Sequence, residues 1–216
     1  YKDNFSIVVE RFLHLWYLLK PFAGQYRYIV TTDVKDVVFQ SNPITWLETH
    51  MGYKQINVAS ESIRYTDEDW GSNNLMKSFG PLIHDHNKQN TICNAGTISG
   101  KFDTMLDLFL NIYMLCNGTA HYIEGGGGPD QAALNVLLNM KTYKEITNFA
   151  MSEDGYAAQL GTTGPQIAGK YGDRLLEKSP ILVDNTVCTS KGIPFAMVHQ
   201  YDRVPEWKNI IEKKYE

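Results

Sequence analysis

Residues 26–43 read YRYIVTTDVKDVVFQSNP. The first seven are β-branched and aromatic apart from one arginine, the composition of a strand held inside a sheet, and Asp33 ends the run. Asp36 follows three positions later, with the apolar residues Val37, Val38 and Phe39 directly behind it. If the chain makes one turn after Asp33, side chains at i and i+3 project to the same side, and two carboxylates there share a divalent cation or its water shell. Hard oxygen ligands at the carboxyl end of a buried strand sit where an α/β sheet presents its ligand site. Taken alone, the same D-x-x-D also suits a turn cap followed by a solvent-facing carboxylate, so the remaining sequence decides between them.

A chain of 216 residues with 43% hydrophobic and 20% charged side chains can bury a substantial core as a single domain over 1–216. The net charge of −4 and a pI near 5.9 argue against a nucleic-acid-binding surface. No apolar run reaches the length of a membrane span; the richest, 105–115, is interrupted by Asp107 and Asn111. Cys93, Cys116 and Cys188 are too few and too scattered for a disulfide framework or a zinc site and read as buried thiols. They suit a reducing compartment, which favours a cytoplasmic location. Asn4 and Asn117 stand in N-x-[ST] triplets that matter only in a secreted chain, and a start at Tyr1 leaves room for a preceding targeting segment.

Outward from the opening stretch, Phe5, Val8, Val9, Phe12, Leu13, Trp16 and Leu19 recur at helical spacing and predict a helix over 4–20, stopped by Pro21. A short helix over 44–51 and a strand over 55–59 come next, the alternation of an α/β sheet. Residues 61–90 are polar and lack periodicity, which predicts a functional loop or lid. His84, Asp85 and His86 within it read as solvated surface rather than metal ligands. Residues 91–99, TICNAGTIS, form a buried strand whose Gly96 marks a close approach to the backbone. A helix over 102–115 is apolar almost all round. The glycines at 125–128 are no phosphate-binding fingerprint and read as flexible chain beside a ligand, ahead of a helix opened by Pro129, Asp130 and Gln131. Strands are expected at 146–151, 157–160, 181–188 and 195–199, with a turn at Ser190, Lys191 and Gly192, and helices at 166–178 and 207–215.

Four ordered segments, TTDVKDVVFQSNP, CNAGTISGK, GGPDQAALN and FAMVHQYDRVP, together resemble nucleotide-sugar-dependent glycosyltransferases of the GT-A fold. The resemblance spans about 26–205 and is nearest to the branch that includes the capsid glycosyltransferases of large algal viruses, with a more distant likeness to the glycogenin and lipopolysaccharide galactosyltransferase group. It implies a mixed α/β sheet flanked by helices, with further strand-helix units preceding this segment. It also implies that Asp33 and Asp36, in D-x-x-D rather than D-x-D spacing, hold a divalent ion, manganese or else magnesium, with His199 as a further ligand. Thr32, Asn94, Ala95, Gly96 and Asp130 would line the donor, with Asp130 and Gln131 near the reacting carbon.

The chemistry suits those roles: a nucleoside diphosphate gathers negative charge as it leaves, and a divalent ion stabilises that charge without a proton. Carboxylates with one imidazole fit manganese. The reading is a glycosyltransferase moving a sugar from a UDP-linked donor to a glycan or glycoconjugate hydroxyl, with His199 leaning toward retention and Glu61 as the acceptor contact. Its rivals are a sugar-phosphate nucleotidyltransferase and a non-catalytic glycan-binding domain.

Overall fold

The computed structural model of the chain describes residues 6–117 and 128–215. Helix α1 (Ile7–Leu19) buries Val9 and Phe12 on its inner stripe and leaves Ile7 and Leu18 outside. After a 3₁₀ turn at Lys20–Phe22, β1 (Tyr28–Thr32) alternates as a strand must: Ile29 joins the core under the helices, and Tyr28 and Val30 face the other side of the sheet. Residues 33–36 cross to β2 (Val37–Phe39), and Asn42 then caps α2 (Pro43–His50), its side chain accepting from the Ile44 N–H.

Strand β3 (Ile56–Arg64) runs five residues beyond the expected end at 59, through irregular pairing between Ser60 and Arg64 and a left-handed Ser62. The lid expected over 61–90 is instead mostly α3 (Asp69–Asn87), bent where Gly80 takes a positive φ before Pro81. Its inner positions are Gly71, Asn74, Leu75, Ser78 and Asn87, so the helix is real but its buried stripe is largely polar. Strand β4 (Thr91–Lys101) leads directly into α4 (Phe102–Asn117), both as expected apart from a residue or two at their ends. Helix α5 (Asp130–Asn139) follows, with Pro129 one place ahead of its first turn, and then the short α6 (Lys141–Lys144). Of the glycine run, 125–127 lie outside the described residues; the Gly128 carbonyl accepts from Asn74 Nδ2.

Beyond α6 come β5 (Thr147–Ala150), β6 (Ala157–Gln159), α7 (Leu160–Thr163) and α8 (Pro165–Tyr171), the last shorter than the helix expected over 166–178. The single strand expected over 181–188 is a hairpin, β7 (Ile181–Val183) and β8 (Thr186–Cys188). Asp184 and Asn185 both take positive φ in its two-residue turn. Strand β9 (Met197–His199) and α9 (Pro205–Tyr215) complete the chain. No described helix is long and apolar enough to cross a membrane, and all three cysteines are buried.

The fold is mixed α/β. One sheet has the order β1-β4-β3-β5, antiparallel except for the β3–β5 pair. A second has the order β2-β9-β6, with β9 antiparallel to β2 and parallel to β6. Helices α1, α4 and α5 cover one face of the first sheet, where Phe12, Phe109, Met105 and Leu134 are fully or almost fully removed from water. Each such side chain contributes roughly 2–3 kcal/mol of hydrophobic stabilisation. On its other face Leu47, Tyr156 and Met197 fill the space toward α2 and the second sheet. The Gln40 side chain binds that sheet to the hairpin, its Nε2 donating to the Val187 and Phe195 carbonyls and its Oε1 accepting from the Val187 N–H.

Candidate metal centre and its cavity

The segment 33–36 that passes from the first sheet to the second is held at both ends. The Asp33 N–H donates to the Gly96 carbonyl of β4 at 2.9 Å, and the Asp36 carbonyl accepts from the Gln200 N–H at 2.7 Å. Because β2 pairs with β9 so that Val37 lies opposite His199, Asp36 is brought to the end of the strand that carries the imidazole. His199 Nε2 lies 3.4 Å from Asp33 Oδ2 and 3.7 Å from Asp36 Oδ1. Among the described residues this is the one group of three acidic, imidazole or thiol side chains whose ligand atoms fall within 4.8 Å of one another. His84 instead bonds to Ser72 Oγ within α3, near Asp85.

The imidazole's orientation follows from its neighbours. Gln159 lies beside His199 in the parallel β6–β9 pair, and its Nε2 donates to Thr97 Oγ1 at 2.7 Å. Its carbonyl oxygen is thereby turned to His199 Nδ1, 2.7 Å away, so Nδ1 carries the proton and donates it. Nε2 is left as a lone pair, buried and without a hydrogen-bond partner, pointing at two carboxylates. Three electron-rich atoms facing one another are unfavourable unless a positive charge, a proton on Nε2 or a metal ion, sits between them. The donor set therefore fits a divalent ion such as manganese or magnesium, with the Gln159 amide as the outer support of the imidazole ligand. Space at this point is closely rationed: a Cβ on Gly96 would stand 2.6 Å from both Asp33 Oδ2 and His199 Cε1.

Arg11 of α1, which nothing in its local sequence marks, joins the centre to the helices. Nη1 binds Asp33 Oδ1 at 2.6 Å, and Nη2 binds Asp130 Oδ2 at 2.9 Å and the Ala95 carbonyl at 3.3 Å. Asp33 thus gives one oxygen to Arg11 and keeps the other toward His199. With a proton on Nε2 the His199 imidazole, followed by Arg11, holds the Asp33 carboxyl at about 2 despite partial burial, and a divalent ion would take the place of that proton. At Asp130 burial prevails and raises the carboxyl, with Arg11 opposing it.

Asp33 and His199 line a cavity of about 630 Å³, together with Glu61, Asn94, Ala95, Gly96, Asp130 and Gln131. The sequence-derived candidates thus converge on one space, except that Asp36 reaches the centre through His199 and Thr32 lies opposite Thr97 in β1, outside the cavity lining. The network behind the wall is closed. Glu61 Oε1 accepts from Asn94 and Gln131 and its Oε2 from Thr162, while Asn94 Oδ1 and Gln131 Oε1 accept the N–H groups of Gly96 and Ala95. Burial raises the Glu61 carboxyl, against the lowering effect of its three donors. Arg203 and Lys170, unmarked in the sequence reading, add positive charge to the lining. A basic residue four positions after the late histidine was the available signal for Arg203; Gln159 and Arg11 act across 40 and 22 residues of chain and gave none.

No protein-family model and no curated protein matches this chain.

Proposed function

We propose that the chain is a metal-dependent glycosyltransferase that transfers a sugar from a UDP-linked donor to a hydroxyl of a glycan or glycoconjugate, on a GT-A-like framework. The observation that carries this reading is the buried, unpartnered His199 Nε2 turned toward Asp33 and Asp36 at the edge of a polar cavity. A divalent ion there would supply charge neutralisation for a departing diphosphate. Arg203 lies in the same lining and suits the diphosphate's remaining charge. Asn94, Ala95 and Gly96 offer a wall set by its own hydrogen bonds, and Asp130 and Gln131 at the start of α5 are the candidates for hydroxyl contact beside the reacting carbon. The resemblance of four ordered motifs supports the glycosyltransferase class, and the late histidine leans toward retention of anomeric configuration.

The test is calorimetric titration of Mn²⁺ and then UDP, together with hydrolysis of a UDP-sugar panel with and without Mn²⁺. Metal-dependent UDP binding that Asp33→Asn and His199→Ala each reduce at least tenfold, with hydrolysis of one donor, is the expected result. Turnover of a nucleoside triphosphate with a sugar phosphate, or UDP binding indifferent to both substitutions, overturns it.

A further inference from the structure

The cavity extends past the carboxylates and imidazole to residues that the metal chemistry does not use: Trp70, Ile167, Lys170 and Tyr171. Trp70 stands in the first turn of α3 and is 40% exposed, a large aromatic side chain left open in a cavity whose lining is mostly polar. Its N–H takes no partner among the described residues, whereas the base of the residue is fixed. Glu68 Oε1 accepts from the Trp70 backbone N–H and Oε2 from that of Gly71, and the Tyr171 hydroxyl donates to the same carboxylate. Gly71 has no room for a side chain, since a Cβ would come within 2.9 Å of Ile92 Cδ1 and 3.0 Å of Glu68 Oε2. The first turn of α3 is therefore pressed onto β4. Lys170 lies over the Tyr171 ring with its ammonium 5.1 Å from the centroid, so a flat ring and a cationic donor flank the same space.

We propose that Trp70, with Lys170, forms the acceptor subsite and that its occupant is a pyranose ring; this rests on the glycosyltransferase reading and supplies its acceptor class. A pyranose has an apolar C–H face that a rigid indole covers at little entropic cost, and a rim of hydroxyls that takes the indole N–H and an ammonium. Glu68 positions the indole and Tyr171 positions Glu68; neither is needed for holding the metal.

The experiment is saturation-transfer NMR with maltose, lactose, cellobiose and methyl α-mannoside, on the full chain loaded with diamagnetic Mg²⁺ and UDP, for wild type, Trp70→Phe, Trp70→Leu and Lys170→Ala. Mn²⁺ and UDP affinities are measured separately by calorimetry, and melting curves confirm folding. At least one sugar should bind with its ring C–H protons receiving the transfer. Trp70→Phe should retain that binding within about threefold, Trp70→Leu should lose it at least tenfold, and neither should alter UDP affinity. Binding by none of the four sugars, or binding indifferent to residue 70, overturns the subsite. Failure of UDP to bind wild type overturns the glycosyltransferase reading and the acceptor assignment with it, while the sugar spectra, still recorded on the Mg²⁺-treated protein, decide separately whether Trp70 binds a pyranose.

Discussion

Gln159 Oε1 accepts the Nδ1 proton of His199 at 2.7 Å, and the Gln159 amide is itself anchored by donation to Thr97 Oγ1. This pair decides which imidazole nitrogen faces Asp33 and Asp36. Replacement by leucine removes the acceptor, frees the ring to change tautomer and leaves Thr97 Oγ1 without its donor. Outer supports of this kind are typically worth 10–100-fold in metal affinity. Gln159→Leu should therefore weaken Mn²⁺ binding by about that factor in calorimetry, with a smaller change in melting temperature than in affinity.

Gly96 touches the same two ligands from β4. An alanine Cβ would require Asp33 Oδ2 and His199 Cε1, each at 2.6 Å, to move, and also Asn94 Oδ1 at 2.9 Å. The strand is held by pairing on both sides, so the ligands rather than the backbone should give way. Gly96→Ala is expected to lower Mn²⁺ affinity at least tenfold while costing about 1–3 kcal/mol of stability, the usual range for overpacking. Retained Mn²⁺ affinity in a titration would show that the ligand positions tolerate displacement.

Asp33 and Asp36 were legible because they flank the turn between two apolar runs, where an abrupt change from apolar to polar residues shows in the sequence. His199 entered only through the resemblance of the late motif, a lone histidine at the end of an apolar strand being more often structural. Helix α3 was not legible. Its buried stripe includes Gly71, Asn74 and Ser78, so its period is hidden in polar residues, and Gly80 with Pro81 interrupts it. The hairpin at Asp184 and Asn185 carried a readable turn signal that was overridden by the continuous apolar character of its flanks. Arg11 and Gln159 act through contacts that depend on how α1 and β6 dock, and an arginine on the polar side of an amphipathic helix looks the same whether it meets water or two carboxylates.

Arg11 ties Asp33 to the buried Asp130. With methionine in its place Asp130 loses its countercharge, and its carboxyl, already raised by burial, rises further. A folded-state value above the unfolded one near 3.9 means that the folded protein binds the extra proton, so stability falls as pH climbs from about 4 through the folded value. Arg11→Met should cost about 2–3 kcal/mol at pH 7.5 in urea denaturation and less at pH 5. Adding Asp130→Asn should recover most of the loss and remove its pH dependence; an equal loss at both pH values would show that the cost lies in packing.

Glu61 supplies the converse case, a buried carboxylate whose three donors all come from the protein: Asn94, Gln131 and Thr162. Burial raises its carboxyl, so the stability it lends the fold is present below the unfolded value near 4.3 and is lost as pH rises through the folded value. Glutamine keeps an oxygen for Asn94 and Gln131 and turns its amide to Thr162 Oγ1, whose hydroxyl rotates to accept. Glu61→Gln should therefore match or exceed wild type at pH 8, and its advantage should shrink toward pH 4.5. Glu61→Leu strands the three donors and should cost about 3 kcal/mol near pH 4.5 and less at pH 8. Transfer to acceptor, measured beside donor hydrolysis in the glutamine variant, separates the two uses of the side chain. A frame for Asn94 and Gln131 survives the exchange with Mn²⁺ and UDP binding intact, while a direct partner of an acceptor hydroxyl loses transfer at unchanged donor hydrolysis.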